Sequence, residues 1–171
     1  MSQETINKVA QGLFKAMQAE REGHYFYLMA AKTCGDPKGC EVFEQLAKEE
    51  LDHANFLERQ YRSVLAAGKP DSGIKLGTKA DLSGTSPIFS KKILSRLGES
   101  HFEMTALSVA AQLELDAQKH YRQQADETDD VVIKTFYLEL AEWEAGHYRA
   151  LLAQQESLKE SYWSASGFSP F

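Results

Sequence analysis

Glutamate and histidine occur twice in this chain at a spacing that suits a shared metal ion. Glu50 is followed three residues later by His53, and Glu144 by His147. Residues three apart on an α-helix lie on one face, so each carboxylate would point the same way as its imidazole. A single Glu-x-x-His pattern is more often a solvent-exposed, ion-pairing face than a pair of ligands. Here the pattern occurs twice, which favours ligands.

Each of these pairs also has a glutamate 30 residues before it, Glu20 in the first case and Glu114 in the second. Four carboxylates buried in an apolar core cannot all be ionised without cations, because each uncompensated buried charge costs several kcal/mol. The alternative is that the acids are protonated or lie on solvent-facing edges. Two divalent cations would balance four carboxylates and two neutral imidazoles, and such a mixed donor set suits iron, manganese or zinc better than calcium. The predicted ligands of this two-metal site are Glu20, Glu50, His53, Glu114, Glu144 and His147.

Four long segments with helical periodicity must carry these residues. Apolar residues recur three and four apart along each segment, which is typical of a helix with one buried face. Asp36 followed by Pro37 marks a helix start, Gly68 marks a helix end, and Ser100 with Glu103 forms a capping-box pattern. The predicted helices cover about 5–33, 37–67, 101–128 and 130–158.

The connection between the second and third predicted helices, residues 68–99, is unusually long and is predicted to contain a short helix near 89–97. Neighbouring antiparallel helices need only about 2–8 linking residues, so this length favours a crossover along the bundle that leaves these two helices parallel. The last residues, 159–171, combine aromatic residues with Ser, Gly and Pro. We expect them to form an aromatic tail that docks on the bundle or on a second subunit.

The two halves of the sequence repeat at an offset of 94 residues. The matched pairs are Leu13 and Leu107, Ala16 and Ala110, Glu20 and Glu114, Tyr27 and Tyr121, Ala31 and Ala125, Leu46 and Leu140, Ala47 and Ala141, Glu50 and Glu144, His53 and His147, and Leu57 and Leu151. Identities at one fixed offset on core-facing positions predict an internal duplication of a helical hairpin. The two glutamates of each hairpin would lie ~22 Å from its turn, so packing the hairpins together would bring all the predicted ligands to mid-bundle.

Composition limits the class of protein. With 171 residues and ordinary fractions of hydrophobic (43 %) and charged (26 %) residues, the chain is predicted to form one globular domain, residues 1–171. The net charge of −6 disfavours a nucleic-acid-binding surface. No apolar stretch approaches the ~20 residues of a membrane span, and the N-terminus lacks the pattern of a secretory signal. We therefore expect a soluble cytoplasmic protein whose two cysteines, Cys34 and Cys40, are reduced thiols.

Three segments resemble the ferritin-like superfamily and, within it, rubrerythrin-like proteins. They are AEREGHYFY at 19–27, FEQLAKEELDH at 43–53 and LAEWEAGH at 140–147, with Glu114 and Tyr121 also matching the pattern. The resemblance implies an all-α, ferritin-like four-helix bundle around a di-iron centre. It also implies ligand roles: Glu50 and Glu144 would bridge the two metals.

The remaining roles are likewise implied by the resemblance. Glu20 and His53 would complete one metal site, and Glu114 and His147 the other. Tyr27 and Tyr121 lie two helical turns from Glu20 and Glu114, where they are either hydroxyl partners of the ligands or core aromatics. His24, one turn from Glu20, is either an extra ligand or a core histidine.

Two features differ from rubrerythrins. Those proteins add a rubredoxin domain with four cysteines, whereas this sequence has two cysteines in all, so electrons would come from an external rubredoxin-type donor. They also have an extra carboxylate beside the third-helix ligand, where this sequence has Ala111 and Ala117. The leading expectation is a homodimeric, di-iron oxidoreductase that reduces hydrogen peroxide or dioxygen. The alternatives are an iron-binding ferroxidase for storage or detoxification, and a metal-stabilised structural bundle without turnover.

Overall fold

A computed structural model of the protein describes residues 2–76 and 101–166, with side chains described for 2–76 and 102–160. The elements are α1 (Gln3–Thr33), α2 (Pro37–Ala67), α3 (His101–Asp126) and α4 (Val131–Ser166). No strand occurs within these described ranges. The predicted all-α four-helix bundle is confirmed. Helix α1 packs along α2 to form the first hairpin, α3 packs along α4 to form the second, and α1 also contacts α3.

The ends of the first hairpin follow from local chemistry. Ser2 caps α1, because its hydroxyl accepts a hydrogen bond from the Thr5 N–H. Asp36 caps α2 by accepting from the Gly39 N–H, and Pro37 occupies the first turn, where no N–H is needed. Gly68 ends α2 with φ of 68°, a left-handed conformation that a side chain would disfavour. These caps place the turn of the hairpin at residues 34–36.

The second hairpin differs from prediction at the end of its last helix. Helix α4 is capped by Asp130 and runs to Ser166, so the aromatic tail predicted for 159–171 is helical over 159–166. The Glu103 carboxylate accepts a hydrogen bond from the Gly35 N–H at 3.0 Å, which ties the start of α3 to the turn of the first hairpin. Ser100, the short helix near 89–97 and residues 167–171 lie outside the described residues.

The core consists of two apolar clusters, one on each side of the bundle's centre. On every helix, one cluster takes residues that precede the predicted ligands and the other takes residues that follow them. The largest fully buried members are Leu13, Leu57, Tyr121, Ile133, Tyr137 and Leu140 in one cluster, and Tyr27, Phe43, Leu46, Leu107 and Leu151 in the other. Every residue of the ten matched pairs is buried. The bundle therefore holds its polar centre between two apolar layers that exclude water.

Candidate metal centre

The structure brings all six predicted ligands together at mid-bundle, one carboxylate or carboxylate–imidazole pair from each helix. Their exposed fractions run from 0 % for His53 and Glu144 to 5 % for Glu50. Charged residues are almost never buried to this degree unless they are paired with one another or with a metal. The side chains form two groups whose candidate ligand atoms lie within 4.8 Å of one another.

The first donor group consists of Glu20 from α1 with Glu50 and His53 from α2. The Nδ1 atom of His53 lies 3.2 Å from Glu20 Oε2. The same nitrogen lies 3.2 Å from Glu144 Oε1, so the first donor group also reaches the carboxylate of the second hairpin. Nδ1 of His53 is therefore the nitrogen that faces the carboxylates.

The second donor group consists of Glu50, Glu114, Glu144 and His147. The Nδ1 atom of His147 lies 3.2 Å from Glu144 Oε2, 3.5 Å from Glu114 Oε2 and 3.9 Å from Glu50 Oε1. Glu50 belongs to both donor groups, and Glu144 contacts both histidines. The two imidazole rings are nearly parallel, with centroids 6.2 Å apart. Two glutamates thus lie between two histidines.

The donor set fits divalent metal ions. Glu20 Oε1 and Glu50 Oε1 are fully buried and have no hydrogen-bond partner among the described residues. An unpartnered buried acceptor costs about 1–3 kcal/mol, and more when it is charged, so a cation would relieve both atoms. Carboxylate oxygens and neutral imidazole nitrogens are donors that iron, manganese and zinc accept. The cluster is therefore a candidate site for two ions.

Without a cation, the cluster retains protons. Burial, reinforced by the Glu144 carboxylate, raises the pKa of Glu20 well above its usual range, and burial with Glu20 does the same to the pKa of Glu50. Burial and Glu144 raise the pKa of Glu114 to about 7. Burial would also raise the pKa of Glu144, but His53 and His147 together outweigh it and hold that pKa well below its usual range.

Both histidines are favoured in their protonated form. Burial would lower the pKa of His53, yet Glu144 raises it, and the hydrogen bonds that His147 donates to Glu114 and Glu144 raise the pKa of His147 well above 6.5 despite burial. A metal ion would displace the protons on the Nδ1 atoms, because a ligating imidazole must offer a lone pair. Metal ions and protons therefore compete for the same atoms.

The two tyrosines predicted near the ligands behave differently. The Tyr27 hydroxyl, buried on α1, donates a hydrogen bond to Glu114 Oε1 on the opposite hairpin. The Tyr121 hydroxyl is buried with no hydrogen-bond partner among the described residues, and its ring stacks on Tyr137 at a centroid distance of 6.1 Å. Of the two alternatives for Tyr121, the structure therefore shows the core aromatic, packed in an apolar cluster.

His24 takes a structural position. Its Nδ1 lies 2.6 Å from the carbonyl oxygen of Ala47, which joins α1 to α2 away from both donor groups. Of the two alternatives for His24, the structure therefore shows an interhelical contact within the first hairpin.

Sequence reasoning missed Gly23, which makes room for a ligand. A Cβ atom at position 23 would lie 2.9 Å from Glu50 Oε2, closer than such atoms approach in real structures. The glycine lets Glu50 rise between the hairpins, at a helix-propensity cost of about 1 kcal/mol. The sequence signal that could have identified this residue is its spacing, because a glycine three residues after Glu20 lies on the same face of the helix as that predicted ligand.

Sequence reasoning also missed Glu49 and Trp143, which contact the two histidines. Glu49 is only 2 % exposed, and its Oε2 lies 3.0 Å from His147 Nε2. Trp143 lies edge-on to His53, with ring centroids 5.0 Å apart. Residues 49 and 143 are related by the 94-residue offset, and they directly precede Glu50 and Glu144. This position beside a predicted ligand was the sequence signal that could have identified them.

A comparison with known protein families finds a match that covers most of the first hairpin. Residues 12–72 match the model of the rubrerythrin family, and this range contains Glu20, Glu50 and His53. The chain is rubrerythrin-like. No curated protein and no solved structure matches it significantly. The matched range holds half of the buried Glu/His cluster, and α3 and α4 supply the other half, Glu114, Glu144 and His147, beyond that range.

None of the helices in the described part of the chain is long and apolar enough to cross a membrane.

Proposed function

We propose that this rubrerythrin-like protein binds two iron ions between its hairpins and reduces hydrogen peroxide with electrons from an external donor. The observation that supports this most is the pair of overlapping donor groups, each with its own histidine and both sharing Glu50. Two ions held side by side can supply two electrons to one bound oxidant and polarise it as Lewis acids. Manganese or zinc would fit the donors but would not make iron's change of oxidation state as readily.

In this proposal, each ligand has one role. Glu50 and Glu144 would hold both ions, since Glu50 belongs to both donor groups and Glu144 lies near both histidines. Glu20 and His53 would complete the first position, and Glu114 and His147 would complete the second. The apolar clusters above and below the centre exclude bulk water, which strengthens every electrostatic interaction inside.

The surrounding residues position the ligands, and the reaction also requires protons. The Tyr27 hydroxyl orients Glu114 through its hydrogen bond, and Gly23 leaves Glu50 free to reach between the hairpins. Reduction of one hydrogen peroxide to two waters consumes two electrons and two protons. Because ligation requires ionised carboxylates, Glu114 would carry no proton while it holds an ion, so both protons would come from outside the ligand set.

A stopped-flow experiment tests the choice of oxidant. The anaerobic di-ferrous protein should be oxidised faster by stoichiometric hydrogen peroxide than by equimolar dioxygen. Glu144→Ala, which removes a proposed bridging ligand, should abolish the fast phase, while Glu142→Ala at an exposed position on the same helix should keep it. If both variants kept the fast phase, the reaction would not occur at this centre.

A ferroxidase is the second candidate, and one observation favours it. The residues one turn before and after Glu114 are Ala111 and Ala117, so Glu114 is the only described residue of α3 in the donor groups. Each hairpin therefore supplies the same candidate ligands, two glutamates and one histidine. A symmetric set of four glutamates and two histidines resembles the oxygen-activating members of the superfamily. Faster oxidation by dioxygen, with mineralised iron accumulating on turnover, would replace the peroxidase proposal with this one.

The electron donor and the assembly are part of the proposal. We propose a rubredoxin-type electron donor, since Cys34 and Cys40 cannot by themselves form a four-cysteine iron site. A homodimer and a cytoplasmic location remain predictions. Donor-dependent turnover with purified rubredoxin, compared with a donor-free control, tests the first of these.

A further inference from the structure

The two hairpins place different residues against the two histidines. Glu49 on α2 reaches across the bundle to His147 on α4, with Oε2 at 3.0 Å from Nε2. At the repeat-related position, Trp143 on α4 reaches across to His53 on α2 and presents an indole ring at 5.0 Å. One histidine is thus backed by a carboxylate and the other by an aromatic ring.

Glu49 fixes the tautomer and the orientation of His147. A carboxylate oxygen only accepts hydrogen bonds, so the proton of the neutral imidazole sits on Nε2 and the lone pair sits on Nδ1, which faces Glu114 and Glu144. Gln45 donates a hydrogen bond to Glu49 Oε1 at 3.1 Å, which holds the carboxylate in turn. A partner of this kind orients a ligating histidine and raises its basicity.

His53 has no equivalent support. Its Nε2 is fully buried and lacks a hydrogen-bond partner among the described residues. Trp143 restrains the ring by packing but leaves open which nitrogen carries the proton. No hydrogen bond favours the ligating tautomer of His53, so adopting this tautomer costs free energy when an ion binds.

The glutamates of the two donor groups show the same contrast. Glu114 receives a hydrogen bond from the Tyr27 hydroxyl. Glu20, its repeat partner, has an unpartnered Oε1, and the repeat-related Tyr121 hydroxyl is unpartnered as well. Preorganised ligands lose less conformational freedom when they bind.

From this contrast we infer that the two metal positions are unequal and that Glu49 is a positioning residue for His147. The position completed by Glu114 and His147 fills first and binds a divalent ion more tightly than the position completed by Glu20 and His53. Glu49 also adds a negative charge on the side of the tighter position, where Trp143 adds none on the other. This inference rests on the proposed function, because it requires the cluster to hold two ions.

Anaerobic titration of the apo-protein with Fe²⁺ tests the inequality. The wild-type protein should bind two ions in two resolved steps, and at one equivalent of ⁵⁷Fe²⁺ its Mössbauer spectrum should show one quadrupole doublet. His147→Ala should remove the tighter step and His53→Ala the weaker one. Two equal steps would overturn the inference and leave the proposed function standing, whereas no bound iron would overturn the proposed function itself.

Glu49→Gln tests the role of the carboxylate with almost no change of shape. The tighter step should weaken about 10- to 100-fold, the range expected for loss of a partner to a ligating histidine, and one equivalent of ⁵⁷Fe²⁺ should then give two doublets. Glu142→Gln, at an exposed position on α4, is the matched control and should behave as wild type. An unchanged tight step in Glu49→Gln would refute the assignment of Glu49.

Trp143→Glu provides the reciprocal test by placing a carboxylate opposite His53. The weaker step should strengthen, and the difference between the two steps should shrink. If this variant fails to fold, as its circular dichroism would show, the Glu49→Gln titration decides the inference by itself. A folded Trp143→Glu variant whose weaker step does not strengthen would contradict it.

Discussion

The first and second hairpins supply matching ligands to the centre but different surroundings for them. Each contributes one glutamate from its first helix and a Glu-x-x-His pair from its second, at positions related by the 94-residue offset. Around these ligands, the first hairpin places Tyr27, Glu49 and Gly23, while the equivalent positions of the second carry Tyr121, Trp143 and Ala117. The comparison teaches that the six Glu and His residues of the cluster are the same across the 94-residue offset, whereas the residues that contact them differ.

The first hairpin supports the ligands of the second hairpin with hydrogen bonds that the equivalent residues of the second hairpin do not return. Tyr27 and Glu49 both form hydrogen bonds with ligands of the opposite hairpin, whereas the Tyr121 hydroxyl and His53 Nε2 are left without such bonds among the described residues. The first hairpin therefore orients the ligands of the second more firmly than the reverse. Asymmetry of this kind would let two chemically identical ions act in sequence.

Removing a shared glutamate should have the largest effect, because both positions depend on it. Glu144→Ala is expected to lose one or both metals, since Glu144 contacts both histidines and is fully buried. Glu142→Ala, two residues earlier and exposed, should keep full occupancy. Elemental analysis of the iron-reconstituted variants measures this, and equal losses in the two would mean that the face of α4 has been wrongly assigned.

Metal removal should lower stability without unfolding the bundle. Each ion present at 100 times its dissociation constant contributes about 2.7 kcal/mol, so chelation should lower the melting temperature on the order of 10 °C. The two apolar clusters remain, and they are extensive enough to keep the helices packed. Circular dichroism with and without chelator is the measurement, and a random-coil spectrum after chelation would contradict this expectation.

The apo- and metal-loaded proteins should respond to pH in opposite directions. In the apo-protein the pKa of Glu114 is raised to about 7 and the pKa of His147 is raised above 6.5, so between pH 6 and 8 the folded state binds more protons than the unfolded state. Its free energy of unfolding should therefore fall as pH rises through this window. Metal affinity should rise over the same window, because ligation requires the deprotonated groups.

Urea unfolding at several pH values, combined with metal titrations at the same values, checks both directions. Parallel trends in the apo- and metal-loaded proteins would show that the ligands do not exchange protons for metal. A surface variant such as Glu142→Gln should leave both slopes unchanged.

The smallest effect separates the two tyrosines. Tyr27→Phe removes a donor from the buried Glu114 and should cost about 1–3 kcal/mol in the free energy of unfolding. Tyr121→Phe removes a hydroxyl without a hydrogen-bond partner, so it should change stability by less than about 0.5 kcal/mol. Urea unfolding of the two apo-variants gives the comparison directly, and equal losses would argue that both hydroxyls are bonded to ligands.

The ligand cluster was predictable because its signals are local or periodic. Helical phase places Glu50 beside His53, and the 94-residue offset repeats the pair in the second half. The ends of α2 were equally predictable from the sequence, since Asp36, Pro37 and Gly68 act through their local backbone geometry. In all of these cases the deciding interaction lies within a few residues along the chain.

The contacts that sequence reasoning missed are made by residues distant along the chain. Glu103 has the spacing of a capping box, and only the structure shows that its carboxylate accepts a hydrogen bond from Gly35 in the turn of the first hairpin. Residues 159–166 have the composition of a tail, but they continue a helix whose preceding turn is anchored by the buried Leu158. Glu49 and Glu50 are adjacent glutamates, and only the packing of the second hairpin reveals that both are buried.

Iron-edge anomalous diffraction from crystals of the anaerobically iron-loaded protein tests the central claim most directly. The account predicts two iron peaks between the hairpins, one beside Glu20 and His53 and one beside Glu114 and His147, with the carboxylates of Glu50 and Glu144 between them. A single peak, or iron bound only outside this cluster, would contradict the assignment of a two-metal centre.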